Sequence, residues 1–364
     1  MTENARKELA DAFDRNLDPL AEFEATFEET GIDPFEVYKE ERLSNKDLSD
    51  AALGEYSRSF RYWKEYMNGR DRHAACPNEE HVKGFIRHLR DDHGNASDTI
   101  RNRLMYLNTA YQYWQDDAAF PHPTDYNPIE LAKDAVNLDE DDGPKEPPRL
   151  TVAELREYVG DISHIRDRLI VLFQLKLGLR ASEVCNIKLS EIHLRNSDVR
   201  DHYKKMGTAK GLDGRENAVY IPHDRERNKS RRPRVLPLDD ELRRAVVQYL
   251  LIRSDNGEPW LLLSKTTHKQ MGKEDINNVW KDAFQPDYAE TEQHRAITSH
   301  YGRHRFTTFW RVEQDLNREL LKYMRGDTAG SATLEDRGAI DEYIHTYYED
   351  IEPIYRENIY KLNV

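Results

Sequence analysis

The sequence predicts a mainly α fold with a small β-sheet, divided between two domains. Three observations predict it. Apolar residues recur at helical spacing through most of the chain. Only two short segments read as extended, NAVYIP at 217–222 and PRVLPL at 233–238. The stretch NLDEDDGPKEPPR at 137–149 combines like charges with prolines that cannot continue a helix. A chain of 364 residues is long enough for two cores of ordinary size.

Residues 1–45 form an acidic N-terminal extension with Leu9, Phe13, Leu17 and Leu20 at helical spacing, which predicts one or two short amphipathic helices. Residues 46–135 read as a small all-helical domain. Asp47 opens one helix, HVKGFIRHL runs through a second, and Asn95-Ala96-Ser97-Asp98 caps a third that continues through TIRNRLMYLNTAYQYW. The linker spans 136–149, and the second domain covers 150–364. There Thr151 is a candidate N-cap, RDRLIVLFQLKLGLR reads as a buried helix ended by Gly178, and another helix begins near Arg180. The two extended segments flank the basic tract RERNKSRRPR at 225–234 and predict a hairpin. Helices resume at DDELRRAVVQYLL, KEDINNVWKDAF, SHYGRHRFTTFWRV and NRELLKYM, and a Tyr-rich segment runs from Ala339 to the C-terminus.

Composition narrows the classes of function. No apolar run approaches the roughly 20 residues that cross a bilayer, and the first residues lack the apolar stretch of a signal peptide, so a soluble, cytoplasmic protein without a membrane partner is expected. Cys76 and Cys185 stand far apart with no CxxC or Cys/His spacing, which indicates neither a disulfide framework nor a structural zinc site. The net charge of −14 argues against a polyanionic partner, since phosphate binding needs cationic surface. Local charge decides contact, however, and the tract at 225–234 is basic. Arg outnumbers Lys nearly two to one, and an acidic, lysine-poor surface stays hydrated in concentrated salt, so a halophilic host is expected.

Several clusters are candidates for chemistry, each with a plainer alternative. His300, Arg303 and His304 fall at i, i+3 and i+4, on one helical face that can meet a phosphate. A solvated face, or a metal site that recruits His294, has the same spacing. Arg180 follows a glycine turn with Glu183 one helical turn later, which suits a positioned guanidinium and equally an ordinary salt bridge. Lys229 sits in the basic turn, where a flexible stem delivers an ammonium group elsewhere or merely solvates a hairpin tip. Tyr343, Tyr347, Tyr348, Tyr355 and Tyr360 are spaced as packing residues as well as candidate nucleophiles.

Taken together and in order, these segments resemble the tyrosine recombinase and integrase family over about 215 residues. LGLRASEVCNIKLSEIHL resembles its first arginine box, and Lys229 precedes the Pro237 of VLPL in the register of the hairpin lysine of chromosome-dimer-resolving members. HYGRH resembles the second box, HxLRH, with Gly302 where Leu is usual; YMRGD resembles the LLGH segment, and Tyr343-Ile344-His345 the nucleophile motif. Two departures stand out. Asp327 takes the place of a His or Trp beside the scissile phosphate, and TAGSATLEDRGA lengthens the stretch before Tyr343, leaving Tyr347 and Tyr348 as alternatives.

The resemblance implies an N-terminal helical core-binding (SAM-like) domain and an α+β tyrosine recombinase catalytic domain. It implies that Arg180 and Arg303 clamp the phosphate oxygens and that His300 hydrogen-bonds the phosphate or assists proton removal. Tyr343 then attacks to give a 3'-phosphotyrosine, and Lys229 protonates the leaving 5'-oxygen, with no cofactor, metal or ATP. The implied partner is double-stranded DNA, bound by a homotetramer on two sites that is a monomer or dimer off DNA; the acidic, lysine-poor composition adds the expectation of a haloarchaeal host. The segment IEPIYRENIYKL suits docking on a neighbouring subunit and equally folding back on its own core. A catalytically inactive DNA-binding relative and a type IB topoisomerase-like DNA-relaxing enzyme are the alternatives; a metal-dependent hydrolase built on His294, His300 and His304 is a more distant one.

Overall fold

A computed structural model describes residues 3–46, 48–136, 145–226, 228, 230, 232–285, 287–327 and 347–364. The chain forms two compact units, 1–144 and 145–364, with separate hydrophobic cores. Among the described residues it is mostly helical with one three-stranded sheet.

In the first unit the helices Asp50–Asn68, Glu79–Asp91, Ser97–Asp116 and Pro128–Ala135 enclose a core of Trp63, Phe85, Leu104, Tyr111 and Trp114. Leu20, Phe35, Tyr38 and Leu43 belong to the same core. The amphipathic reading of the first residues is corrected in part. Leu20 is buried, but Leu9, Phe13 and Leu17 are exposed around the helix Glu3–Ala12. Two helix starts also differ from expectation. Ser49, whose side chain accepts from the Ala52 amide, caps the helix for which Asp47 was the expected start, and Asp47 itself lies outside the described residues. The helix Ser97–Asp116 begins after Ala96 with no side-chain cap. A buried apolar face fixes these helices, and capping adds only about 1 kcal/mol, so it need not dictate the first residue.

The second unit is built on the helix Ile165–Leu177, which is buried almost all round and therefore lacks a polar stripe. Gly178 ends it in the left-handed conformation. Against it pack the helices Asp240–Ile252, Lys273–Phe284 and Ser299–Thr308. Gly302 makes the last of these contacts possible. A Cβ there would stand 2.7 Å from Gln174 Cβ and 2.8 Å from Trp280 Cζ2, so the helices approach more closely than any side chain allows. The hairpin forms as expected, β2 (Ala218–Ile221) pairing antiparallel with β3 (Arg234–Pro237) through Val219 opposite Leu236. A third strand, β1 (Ile192–His193), adds to the far side of β2 and is too short to show a two-residue alternation.

The C-terminal segment folds back on its own unit. Ile351, Tyr355, Ile359, Tyr360 and Leu362 are buried in the core. Lys176, wholly buried, reaches Asp239 Oδ2 at 2.8 Å, Glu241 Oε2 at 2.6 Å and the Tyr360 carbonyl at 3.1 Å. Glu241 in turn accepts from the Leu362 and Val364 amides. A buried ammonium needs such partners, because an unpaired charge in the interior costs several kcal/mol.

Candidate active site

The second unit gathers three arginines on one carboxylate. Arg180 follows the Gly178 turn and is the N-cap of the helix Ala181–Cys185. Its backbone N–H donates to Glu183 Oε2 at 2.8 Å, and its Nη1 to Glu183 Oε1 at 3.3 Å. Glu183 is fully buried and also accepts from Ser230 Oγ at 2.5 Å and from the buried Arg234 Nη2 at 3.0 Å. Burial alone would raise the Glu183 carboxyl; Arg234, Ser230 and the Arg180 amide outweigh it and hold the group down at about 2. The glutamate one turn after Arg180 is thus the anchor that ties the hairpin residues Ser230 and Arg234 to the turn carrying Arg180.

Arg303 enters from the helix Ser299–Thr308 and is 3% exposed. Its Nη1 donates to the Gly178 carbonyl at 2.8 Å and to the Arg325 carbonyl at 3.1 Å, and its Nη2 to the Arg325 carbonyl at 3.1 Å. Fixed by main-chain oxygens, the fork has one direction left in which to point. Burial, with Arg180 and Arg325 beside it, pushes this guanidinium down to about 9, so it is charged at neutral pH. His300 lies one helical turn before Arg303 on an exposed edge, its ring set edge-on to His304 at 4.5 Å. Desolvation, then His304, Arg303, Arg180 and Arg325, lower its pKa, so the ring is neutral at pH 7 and free to accept a proton.

Asp327 closes the arrangement. Its Oδ1 accepts from Arg180 Nη2 at 3.0 Å and from Arg303 Nη2 at 2.9 Å, while Arg325 Nε stands 2.8 Å from Oδ2. Asp327 reaches this place through Gly326, which ends the helix Arg318–Arg325 at φ 69°. A Cβ on Gly326 would fall 2.3 Å from Arg234 Nη1 and 2.6 Å from Ser230 Oγ, so glycine is required here on both counts.

Of the residues singled out from the sequence, the structure brings Arg180 and Arg303 onto one anionic oxygen and sets His300 beside them. Lys229 and Tyr343 lie outside the described residues, although the neighbours of Lys229 are fixed: Asn228 accepts from Asn186 Nδ2 at 2.9 Å, and Ser230 is held by Glu183. Tyr348, one alternative nucleophile, is buried against Leu212, Ala218 and Val235, and burial pushes its phenol well above the ordinary range. Tyr347 is exposed and its amide donates to Asp350 Oδ2. Arg325, Ser230 and Arg234 were missed: nothing in an isolated Arg or Ser tells which buried anion it will face. Among the described residues no group of three metal-ligating side chains occurs, and no helix is long and apolar enough to cross a membrane.

Known proteins resemble this chain in sequence and in fold. Residues 149–326 match the model of the phage integrase family. The tyrosine recombinase XerA of Pyrococcus horikoshii is 26% identical over 204 residues, 56% of this chain and 61% of that protein. The tyrosine recombinase XerA of Pyrococcus furiosus is 27% identical over 189 residues, 51% of this chain and 56% of that protein. The chain thus spans about three fifths of the length of these relatives. Among solved structures, the Tn1549 transposon integrase in complex with transposon right end DNA superposes with a TM-score of 0.60 at 17% identity, covering 90% of this chain and 99% of that one. A lambda integrase dimer bound to a COC' core site gives a TM-score of 0.58 at 13% identity, covering 88% and 77%. A lambda integrase tetramer bound to a Holliday junction gives 0.56 at 14%, covering 84% and 79%.

Proposed function

We propose, for a chain that belongs to the phage integrase family of tyrosine recombinases, that it is a site-specific DNA recombinase that cuts and rejoins double-stranded DNA through a 3'-phosphotyrosine intermediate. The observation that supports this reading most is the convergence of Arg180 and Arg303 on a single anionic oxygen. A phosphodiester resists attack because of its negative charge, and two fixed guanidinium groups at its non-bridging oxygens offset the charge that builds at the five-coordinate phosphorus.

In this mechanism Arg180 and Arg303 hold the phosphate and the neutral His300 hydrogen-bonds it or takes the proton from the attacking phenol. Tyr343 forms the new O–P bond, and Lys229 donates its proton to the departing 5'-oxygen. The tyrosyl phosphodiester conserves the energy of the broken bond, so neither ATP nor a metal is needed for resealing. A 5'-hydroxyl from a partner duplex then displaces Tyr343, and recombination follows from the exchange of partners. Residues 46–135 serve as the core-binding DNA clamp, 136–149 as the linker and 150–364 as the catalytic domain, preceded by the acidic extension 1–45. The functional assembly is a homotetramer on two DNA sites, a monomer or dimer off DNA, in the cytoplasm of a halophilic cell. In such salt, counterion release contributes little to affinity, so the net charge of −14 does not oppose binding.

The test is covalent trapping. The purified chain, incubated in high salt with a library of nicked duplexes, is expected to leave a denaturant-resistant protein–DNA adduct whose sequence reports the target, and Tyr343→Phe is expected to leave none. A second reading, a relative that binds DNA without cutting it, draws support from the Asp327 carboxylate lying on the arginine clamp; a gel shift with no adduct in the wild-type chain would select it.

A further inference from the structure

Resting on the assignment of Arg180 and Arg303 to the scissile phosphate, we propose that the phosphate seat has a third arm, Arg325, and that in the free protein the seat is filled by the chain's own Asp327 carboxylate. The two oxygens of a carboxylate stand in for the two non-bridging oxygens of a phosphodiester. Arg180 and Arg303 both donate to Oδ1, at 3.0 Å and 2.9 Å, while Arg325 faces Oδ2 at 2.8 Å. Oδ1 therefore marks where one phosphate oxygen is held by the pair, and Oδ2 marks where the second meets Arg325.

Two observations say that Asp327 fills this seat incompletely. Arg325 Nε is buried and makes no aligned hydrogen bond, although the carboxylate oxygen is within charge contact. A buried donor left without an acceptor is uncommon and costly, and it is satisfied when an anion with more oxygens takes the place. Charge points the same way. Among the described residues, four guanidinium groups, Arg180, Arg234, Arg303 and Arg325, face two carboxylates, Asp327 and Glu183, and Glu183 is already engaged by Arg234, Ser230 and Arg180. A phosphoryl group gaining negative charge during attack matches that excess better than a carboxylate does. Asp327 is also built to leave: its side chain is 28% exposed, and it follows Gly326, where the helix has already ended. Seat and phosphate cannot coincide while Asp327 is in place, so DNA binding exchanges one anion for the other. Arg325 thereby supplies a donor on the side where Asp327 itself supplies none.

The probe is inorganic phosphate, titrated into the full chain in one KCl buffer and read by thermal shift. Asp327→Asn is expected to melt lower without phosphate, since its arginines lose their counter-ion, and to bind phosphate roughly tenfold more tightly than the wild type. Adding Arg325→Gln to Asp327→Asn should remove most of that gain, and so should adding Arg180→Gln. No gain in the folded Asn variant overturns the proposal, as does a gain that Arg325→Gln leaves intact. A gain that survives Arg180→Gln places the bound phosphate elsewhere and sinks the clamp assignment itself, a failure distinct from the other two. If the Asn variant does not fold, the Arg325 Nε–H resonance of the wild type under saturating phosphate decides: a shift supports the third arm, and no shift overturns it.

Discussion

Replacing Glu183 with Gln keeps the shape of the side chain and removes its charge, and the structure fixes what that costs. Glu183 is inaccessible to solvent, as is its partner Arg234, and it accepts from Arg234, Ser230 and both the amide and the guanidinium of Arg180. The fall of its pKa from the usual 4.5 to about 2 corresponds to about 3 kcal/mol at roughly 1.4 kcal/mol per factor of ten. Breaking one partner out of a buried pair typically costs about 3–5 kcal/mol, which agrees. The sign follows from linkage. A carboxyl whose folded pKa is depressed stabilises the protein above its unfolded value of 4.5 and loses that contribution as pH falls toward 2. Glu183→Gln should therefore lose about 3 kcal/mol at pH 7, and its deficit against the wild type should narrow between pH 4.5 and 2. Urea unfolding of the full chain, read by hydrogen exchange in peptides covering 165–185, isolates the second unit from the first. A deficit below about 1 kcal/mol, or one that stays constant as the solution is acidified, would refute the claim that Glu183 is a charged anchor.

Three further outcomes are expected. Gly302→Ala should destabilise the second unit by about 1–3 kcal/mol in the same assay, since its methyl would stand 2.7 Å from Gln174 Cβ. Lys176→Met leaves Glu241 buried without its cation and Asp239 with only Lys361; a loss of about 3–5 kcal/mol, with faster carboxypeptidase trimming of the last residues, is expected. With the pKa of His300 lowered by desolvation and by His304 and the surrounding arginines, a cleavage step that uses its neutral form should hold its rate below pH 6.5 and fall only at more acidic pH. An adduct yield that already halves at or above pH 6.5 would contradict that assignment.

Much of the second unit was legible because its signals are local. The Gly178 stop, the Thr151 cap and the pairing of β2 with β3 each depend on a few adjacent residues. The spacings Arg180/Glu183 and His300/Arg303 were legible for the same reason, since residues three apart share a helical face. Local signals failed where packing overrode them. Ala96 caps without a side chain, Ser49 caps where Asp47 was expected to start the helix, and Phe13 is exposed despite its place in an apolar series. β1, with two residues, was below any pattern a strand can show.

By itself the sequence determined the helices, the hairpin and the glycine stops, because those follow from backbone preference and from periodicity within a turn or two, while Arg180 and Arg303 were singled out by their resemblance to the family's two arginine boxes. Only the tertiary structure decided which charges face one another. Arg180 and Asp327 are separated by 147 positions, Glu183 and Arg234 by 51, and Lys176 and Asp239 by 63. Those encounters depend on how closely the helices Ile165–Leu177 and Ser299–Thr308 approach at Gly302 and on the direction in which Gly326 turns the chain. Coulomb energy depends on distance in space and on the dielectric around it, neither of which is written in the order of the residues.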